Sequence, residues 1–60
     1  MNPEDLKVIT AMHRYGGSFV QHLSRLASLA DEDNLERIKR AWPEYWSKYS
    51  SMAEAGPLFV

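Results

Sequence analysis

Cysteine is absent from this sequence of 60 residues, so neither a disulfide nor a thiolate metal site can stabilise the fold. The sequence also lacks any apolar run near the ~20 residues that a membrane-spanning helix needs. Its N-terminal stretch, MNPEDLKVIT, has acidic residues where a secretory signal has basic ones. These absences predict a cytoplasmic protein that does not use a membrane.

An excess of charge of either sign is missing too. Seven Lys and Arg residues oppose eight Asp and Glu residues, and the net charge of -1 gives no strong attraction to nucleic acid or membranes. A chain this short buries only about 60% of the surface that its unfolded form exposes. We therefore expect a single small domain over residues 1–60 that gains stability by helix pairing and by self-association, as a homodimer.

Glycine and proline are also scarce, with three of each, and they divide the sequence into segments of helical periodicity. The prediction is an all-α bundle of three helices, followed by an apolar C-terminal tail. The helices are expected at about 3–15, 18–30 and 32–54, and the tail at 55–60.

Turn and capping residues set these boundaries. Gly16-Gly17 is expected to end the first helix in the left-handed conformation that glycine adopts easily. Ser18 and Gln21 have the spacing of a capping box for the second helix. Side chains suited to cap the N-termini of the three helices are Asn2, Ser18, and either Asp31 or Asp33.

Helical periodicity also predicts which side chains face the core. On the first helix the apolar face comprises Leu6, Val8, Ile9, Met12, His13 and Tyr15. On the second it comprises Phe19, Val20, Leu23, Leu26, Ala27 and Ala30, with His22 and Leu29 on one flank.

Pro43 interrupts the third predicted helix. Proline inside a helix removes a hydrogen bond and disfavours helical geometry at the preceding residue, here Trp42. The apolar face nevertheless keeps its phase from Leu35 through Pro43 to Ala53. The pattern leaves open one kinked helix or two nearly collinear helices, briefly broken at Pro43.

Four aromatic residues, Trp42, Tyr45, Trp46 and Tyr49, follow the spacing of one helical face. They can be core residues, or they can form a partner or oligomer interface, because Trp and Tyr dominate binding hot spots. His13 and Tyr15 join them as candidate interface residues.

Other chemistry has little support. His13 and His22 lack a third metal ligand, and Ser18 lacks the remaining members of a catalytic triad, so we expect no metal, no cofactor and no enzymatic activity. Two alternatives stay open. One is a small nucleic-acid-binding module of helix-turn-helix type, which would use Arg37, Lys39 and Arg40. The other is an oligomer that binds a small ligand at the interface between copies, in a site lined by His13, Tyr15 and further aromatic rings.

Three stretches, HRYGGSFVQHLSRL, Leu35–Ala41 and WPEYWSKYSSM, resemble small uncharacterised proteins encoded in bacteriophage and prophage genomes. The shared features are a His-x-x-Gly-Gly turn, an acidic turn and an aromatic-Pro-Glu-Tyr-Trp segment, and they span His13 to Met52. The resemblance implies a phage accessory protein in a bacterial cytoplasm that binds a host or defence protein. It implies no catalytic residue.

Overall fold

A computed structural model of the chain describes residues 2–55 and contains four helices in that range. In chain order they are α1 (Pro3–Tyr15), α2 (Ser18–Leu29), α3 (Glu32–Ala41) and α4 (Pro43–Ala55). Helix α1 packs mainly against α2 and α4, and α3 contacts both α2 and α4. The all-α class is confirmed. The tail predicted at 55–60 lies outside the described residues, apart from the last residue of α4.

The prediction of three helices is wrong, because the segment 32–54 forms two. Trp42 has φ -132° and ψ 61°, outside the helical region. Its N–H donates to the Ile38 carbonyl at 3.0 Å and closes α3, while its own carbonyl accepts from the Trp46 N–H at 3.2 Å and opens α4. Pro43 then occupies the first position of α4, where its missing N–H costs nothing. The broken alternative therefore holds, and the break falls at Trp42.

Two of the three predicted caps are confirmed. Asn2 Oδ1 accepts the Asp5 N–H at 2.8 Å, and Asp31 Oδ1 accepts the Asn34 N–H at 2.8 Å. The predicted Ser18 cap is wrong, because Gly17 holds the capping position of α2. The N-terminus of α2 therefore has no side-chain cap, and its first turn has no acidic residue.

The core lies between α1 and the inward faces of the other three helices. Its polar side chains are satisfied, because no buried side-chain nitrogen or oxygen among residues 2–55 lacks a hydrogen-bond partner. The buried apolar residues are Val8, Ile9, Ala11, Met12, Val20, Leu23, Ala27, Leu35, Ile38, Tyr49 and Ala53.

The predicted inward face of α2 is wrong in part. Phe19 and Leu26 were expected in the core but are 55% and 54% exposed, whereas Ser24 is only 2% exposed. The reason is the close packing of α1 and α2, which favours small residues such as Ser24 and Ala27 at the contact. The Ser24 hydroxyl is satisfied within its own helix, where it donates to the Gln21 carbonyl at 2.6 Å.

Helix α1 shows a similar difference. Leu6 and Tyr15 are 51% and 44% exposed, and His13 is exposed as well, although all three were predicted on the inward face. Ala11, which is not a member of the predicted apolar face, is completely buried. Helix α1 packs against α2 on one side and against α4 on another. The small side chain of Ala11 is therefore enclosed, while the longer side chains at the edges of these contacts reach solvent.

The turn between α1 and α2 depends on Gly16, for a reason other than the predicted left-handed conformation. Gly16 has φ -80° and ψ 157°, which any residue can adopt. A Cβ atom at this position would lie 2.6 Å from the Met12 carbonyl oxygen and would overlap the Val20 side chain. The neighbouring Gly17 has open space at the same point. Gly16 is therefore required by the close approach of α2 to α1.

We predict that Gly16→Ala lowers the free energy of unfolding by about 1–3 kcal/mol, because the new methyl group must displace Val20 and a backbone carbonyl. Gly17→Ala is the matched control. Alanine is a poorer N-cap than glycine but restricts the unfolded chain, so the net change should stay below about 1 kcal/mol. Urea denaturation followed by tryptophan fluorescence measures both. Equal losses in the two variants would contradict the proposed contact.

Candidate protein-interaction surface

The outward side of α2 carries a row of exposed, largely apolar side chains, which we call the α2 stripe: Phe19, His22, Leu26 and Leu29. Their exposures are 55% for Phe19, 54% for Leu26 and 79% for Leu29, and His22 is also exposed. Successive members are three, four and three residues apart, so they fall within a sector of about 80° on the helix. This is the spacing of a coiled-coil seam.

Sequence reasoning missed the α2 stripe as a surface because it placed Phe19 and Leu26 in the core. The heptad-like spacing of Phe19, His22, Leu26 and Leu29 was the available signal. Helix α2 has apolar residues on two faces, and only the packing of α1 decides which face is buried. The buried one is the face of Val20, Leu23 and Ala27.

A groove between α2 and α3 adjoins one end of the α2 stripe. Its volume is about 350 Å³. Apolar side chains dominate it, while Asn34 and Arg37 add polar groups from α3. Its lining residues are Leu26, Leu29, Ala30, Asn34, Arg37 and Ile38. We call it the α2–α3 groove, and its size and composition suit an apolar side chain.

The other end of the α2 stripe is held by an aromatic cluster of Phe19, Trp42 and Tyr45. The Phe19 ring lies edge-on to Trp42, with centroids 6.0 Å apart and planes at 69°. Its centroid is 5.9 Å from that of Tyr45. Trp42 and Tyr45 are half-buried, so they fix one side of the Phe19 ring while the other side stays in solvent. Such an aromatic side chain loses little conformational entropy when it binds.

The predicted aromatic face is therefore divided between surface and core. Tyr49 is 4% exposed and belongs to the core. Trp42, Tyr45 and Trp46 are half-buried at its edge. The Lys39 ammonium lies 5.3 Å from the Trp46 ring centroid, within the range of a cation–π contact. Three of the four aromatic residues thus keep part of their surface exposed.

His13 lies apart from the aromatic cluster, in a second groove between α1 and α2. This groove has a volume of about 470 Å³, and Thr10, Gln21, His22 and Arg25 also line it. The Gln21 amide donates to the His13 carbonyl at 3.3 Å and links the two helices. The structure therefore brings both histidines to one groove.

The two histidines are not part of a larger cluster of metal-ligating residues. Within residues 2–55, no group of three His, Cys, Asp or Glu side chains is arranged so that it could hold a metal ion. His22 Nδ1 lies 2.7 Å from the Ser18 carbonyl oxygen, a contact in which the ring nitrogen donates. Tyr15, the remaining predicted interface residue, is 44% exposed at the end of α1.

The predicted basic cluster is also divided. Lys39 Nζ lies 3.0 Å from Asp5 Oδ1, in an ion pair whose side chains are 28% and 12% exposed. This pair joins α3 to α1. Arg37 and Arg40 are exposed instead. Lys39 is therefore engaged in the fold, and a phosphate group would have to compete with Asp5 for it.

The structural role of Asp5 was not predicted. An acidic residue in the first turn of a helix is expected from the helix dipole alone, so its presence at position 5 did not indicate a further role. The missed signal is its spacing, because Asp5 lies four residues before Ile9 and seven before Met12, on the buried face of α1. An acidic residue on that face requires a cation from another helix.

The chain matches no protein-family model, and no curated protein or solved structure is significantly similar to it. In the described part of the chain, no helix has the length and apolar character needed to cross a membrane. The resemblance to phage proteins therefore stays a prediction.

Removing the charge of Asp5 should weaken the fold. We predict that Asp5→Asn lowers the free energy of unfolding by about 1–2 kcal/mol, because Lys39 loses its carboxylate partner while still partly buried. Glu36→Gln is the control. Glu36 lies 4.0 Å from the same ammonium, but its side chain is 64% exposed. Glu36→Gln should therefore lower the free energy of unfolding by less than about 0.5 kcal/mol. Denaturation of both variants at low salt measures the difference.

Proposed function

We propose that the chain is a non-enzymatic helical interaction protein that works as a self-associated unit. The observation that carries this proposal is the α2 stripe, on which Phe19, Leu26 and Leu29 are 55%, 54% and 79% exposed. Single exposed apolar residues are normal, but an apolar row on one helix face is typical of a binding surface.

The neighbouring features support a surface that binds protein. Phe19 is braced by Trp42 and Tyr45, and the α2–α3 groove opens beside Leu26 and Leu29. A fixed aromatic ring and an apolar groove on the same face of a protein are common features of protein–protein hot spots. Self-association would also add buried apolar area, which a domain of this size has in short supply.

The resemblance to phage proteins suggests where such a unit would act. We propose a bacterial cytoplasm as the location and a host or defence protein as a further partner, which the assembled unit would bind through surface left uncovered by self-association. Trp46, which is half-buried, and Tyr15, which is 44% exposed, lie off the α2 stripe and are candidates for that second contact.

Nucleic-acid binding is less well supported. Of the three candidate residues, Arg37 and Arg40 are exposed, but Lys39 is paired with Asp5. A net charge of -1 supplies little long-range attraction to phosphate. Small-ligand binding has one supporting feature, the groove of His13 and His22, but no set of polar groups there specifies a ligand class.

Self-association is tested by sedimentation equilibrium over a concentration series. We predict a mass that rises from monomer toward dimer, and a Leu29→Lys variant that stays monomeric because a buried ammonium group opposes pairing. Leu29 is 79% exposed, so this variant should keep its stability to within about 0.5 kcal/mol.

The matched control is Ser28→Lys, which places the same charge on α2 but away from the α2 stripe. It should associate like the original chain. A chain that remains monomeric up to about 1 mM would overturn the proposal of self-association, since even very weak pairing is populated there.

A further inference from the structure

We propose that the α2 stripe pairs with the α2 stripe of a second copy, antiparallel, with each Phe19 ring entering the α2–α3 groove of the other copy. This inference rests on the proposed self-association and specifies its interface. The occupant of the surface is thus a second copy of this chain. In a two-fold dimer both copies use the same surface, so the α2 stripe and the α2–α3 groove must be complementary to themselves.

The order of residues along the α2 stripe is suited to antiparallel pairing. A two-fold axis that passes between the two stripes at the level of residue 24 places Phe19 opposite Leu29 of the second copy and His22 opposite its Leu26. Each layer then contains at least one aliphatic side chain. Parallel pairing in register would instead set His22 against His22 and concentrate the polar groups in one layer.

The α2–α3 groove lies where the antiparallel arrangement delivers Phe19. Leu29 and Leu26 line the groove, and Leu29 is the residue opposite Phe19 in this register. The groove volume of about 350 Å³ exceeds the ~150 Å³ of a cavity that can hold a benzene ring. The exposed side of the Phe19 ring therefore has an apolar site available on the other copy, and the two insertions are equivalent by symmetry.

Charge favours the same orientation. The N-terminus of α2 has neither a side-chain cap nor an acidic residue in its first turn, so α2 itself supplies nothing that compensates the positive end of its dipole. The opposite end of α2 leads into the acidic residues Asp31, Glu32 and Asp33, which are exposed. Antiparallel pairing brings these acidic residues of one copy near the helix N-terminus of the other, whereas parallel pairing brings two acidic segments together.

The size of the surface sets the expected affinity. A standard stable interface buries about 800 Å² on each partner, which is about a fifth of the 4248 Å² accessible surface of this chain. One helix of 12 residues with an adjoining groove offers less than that. We therefore expect a weak dimer, with a dissociation constant of roughly micromolar to sub-millimolar magnitude.

The absence of native cysteine allows the pairing to be mapped by disulfides. His22→Cys and Leu26→Cys are made as separate full-length variants, mixed, and equilibrated in a glutathione redox buffer. Antiparallel pairing places residues 22 and 26 of different copies opposite each other, so the mixed disulfide should dominate. Leu29→Cys alone should give little disulfide, because its two sites would lie about 15 Å apart along the helix.

Different outcomes separate this inference from the proposed function. Predominant disulfides between identical variants, together with efficient Leu29→Cys cross-linking, would show parallel pairing and overturn the inference while self-association stands. Self-association with no disulfide at any of the three positions would place the interface elsewhere and also overturn it. A monomer at all concentrations would overturn both and leave the α2 stripe to a different protein.

A gain of affinity provides a second test that unfolding cannot imitate. His22→Leu replaces the one polar member of the α2 stripe and should strengthen dimerisation at least about tenfold, because each dimer gains two apolar contacts. Ser28→Leu adds the same side chain to α2 on another face and should leave the dissociation constant unchanged within about twofold. Equal strengthening by both variants would indicate nonspecific association and contradict the proposed pairing.

Discussion

The close approach of Gly16 to Val20 determines how α2 lies on α1, and most of the molecule depends on that placement. Because Gly16 has no Cβ atom, α2 can leave the turn in direct contact with α1. A Cβ atom at this position would not fit between the two helices. The contact turns Val20, Leu23, Ser24 and Ala27 inward. The side chains on the opposite side of α2 are then exposed to solvent, and they form the α2 stripe.

The break at Trp42 completes the arrangement. It lets α4 pack on α1 while α3 contacts α2, and it places Trp42 and Tyr45 against Phe19. The ion pair between Asp5 and Lys39 ties α3 to α1 in addition. The surface formed by α2 and α3 therefore rests on contacts with α1 and α4, which suits a docking face of fixed shape.

The all-α class and the bounds of α1 and α2 were predictable, because the Asn2 cap, the Gly16-Gly17 turn and the acidic turn at 31–34 mark them locally. The number of helices was not, because the apolar phase continues through Pro43 and only the backbone geometry of Trp42 separates α3 from α4. The candidate surface was hidden for a different reason. Hydropathy places Phe19 inside and Ser24 outside, whereas the close packing at Gly16 favours the smaller side chain at the contact.

Contacts between Phe19 and Leu29 test the central claim most directly. Within one copy these residues are separated by ten positions of α2, about 15 Å along the helix, too far for a nuclear Overhauser effect. In the antiparallel pair they are neighbours. Antiparallel pairing predicts intermolecular nuclear Overhauser cross-peaks between the Phe19 ring protons and the Leu29 methyl groups. An isotope-filtered experiment on a mixture of labelled and unlabelled protein detects them. Intermolecular cross-peaks that arise only from other residues, or none in a concentrated sample, would contradict it.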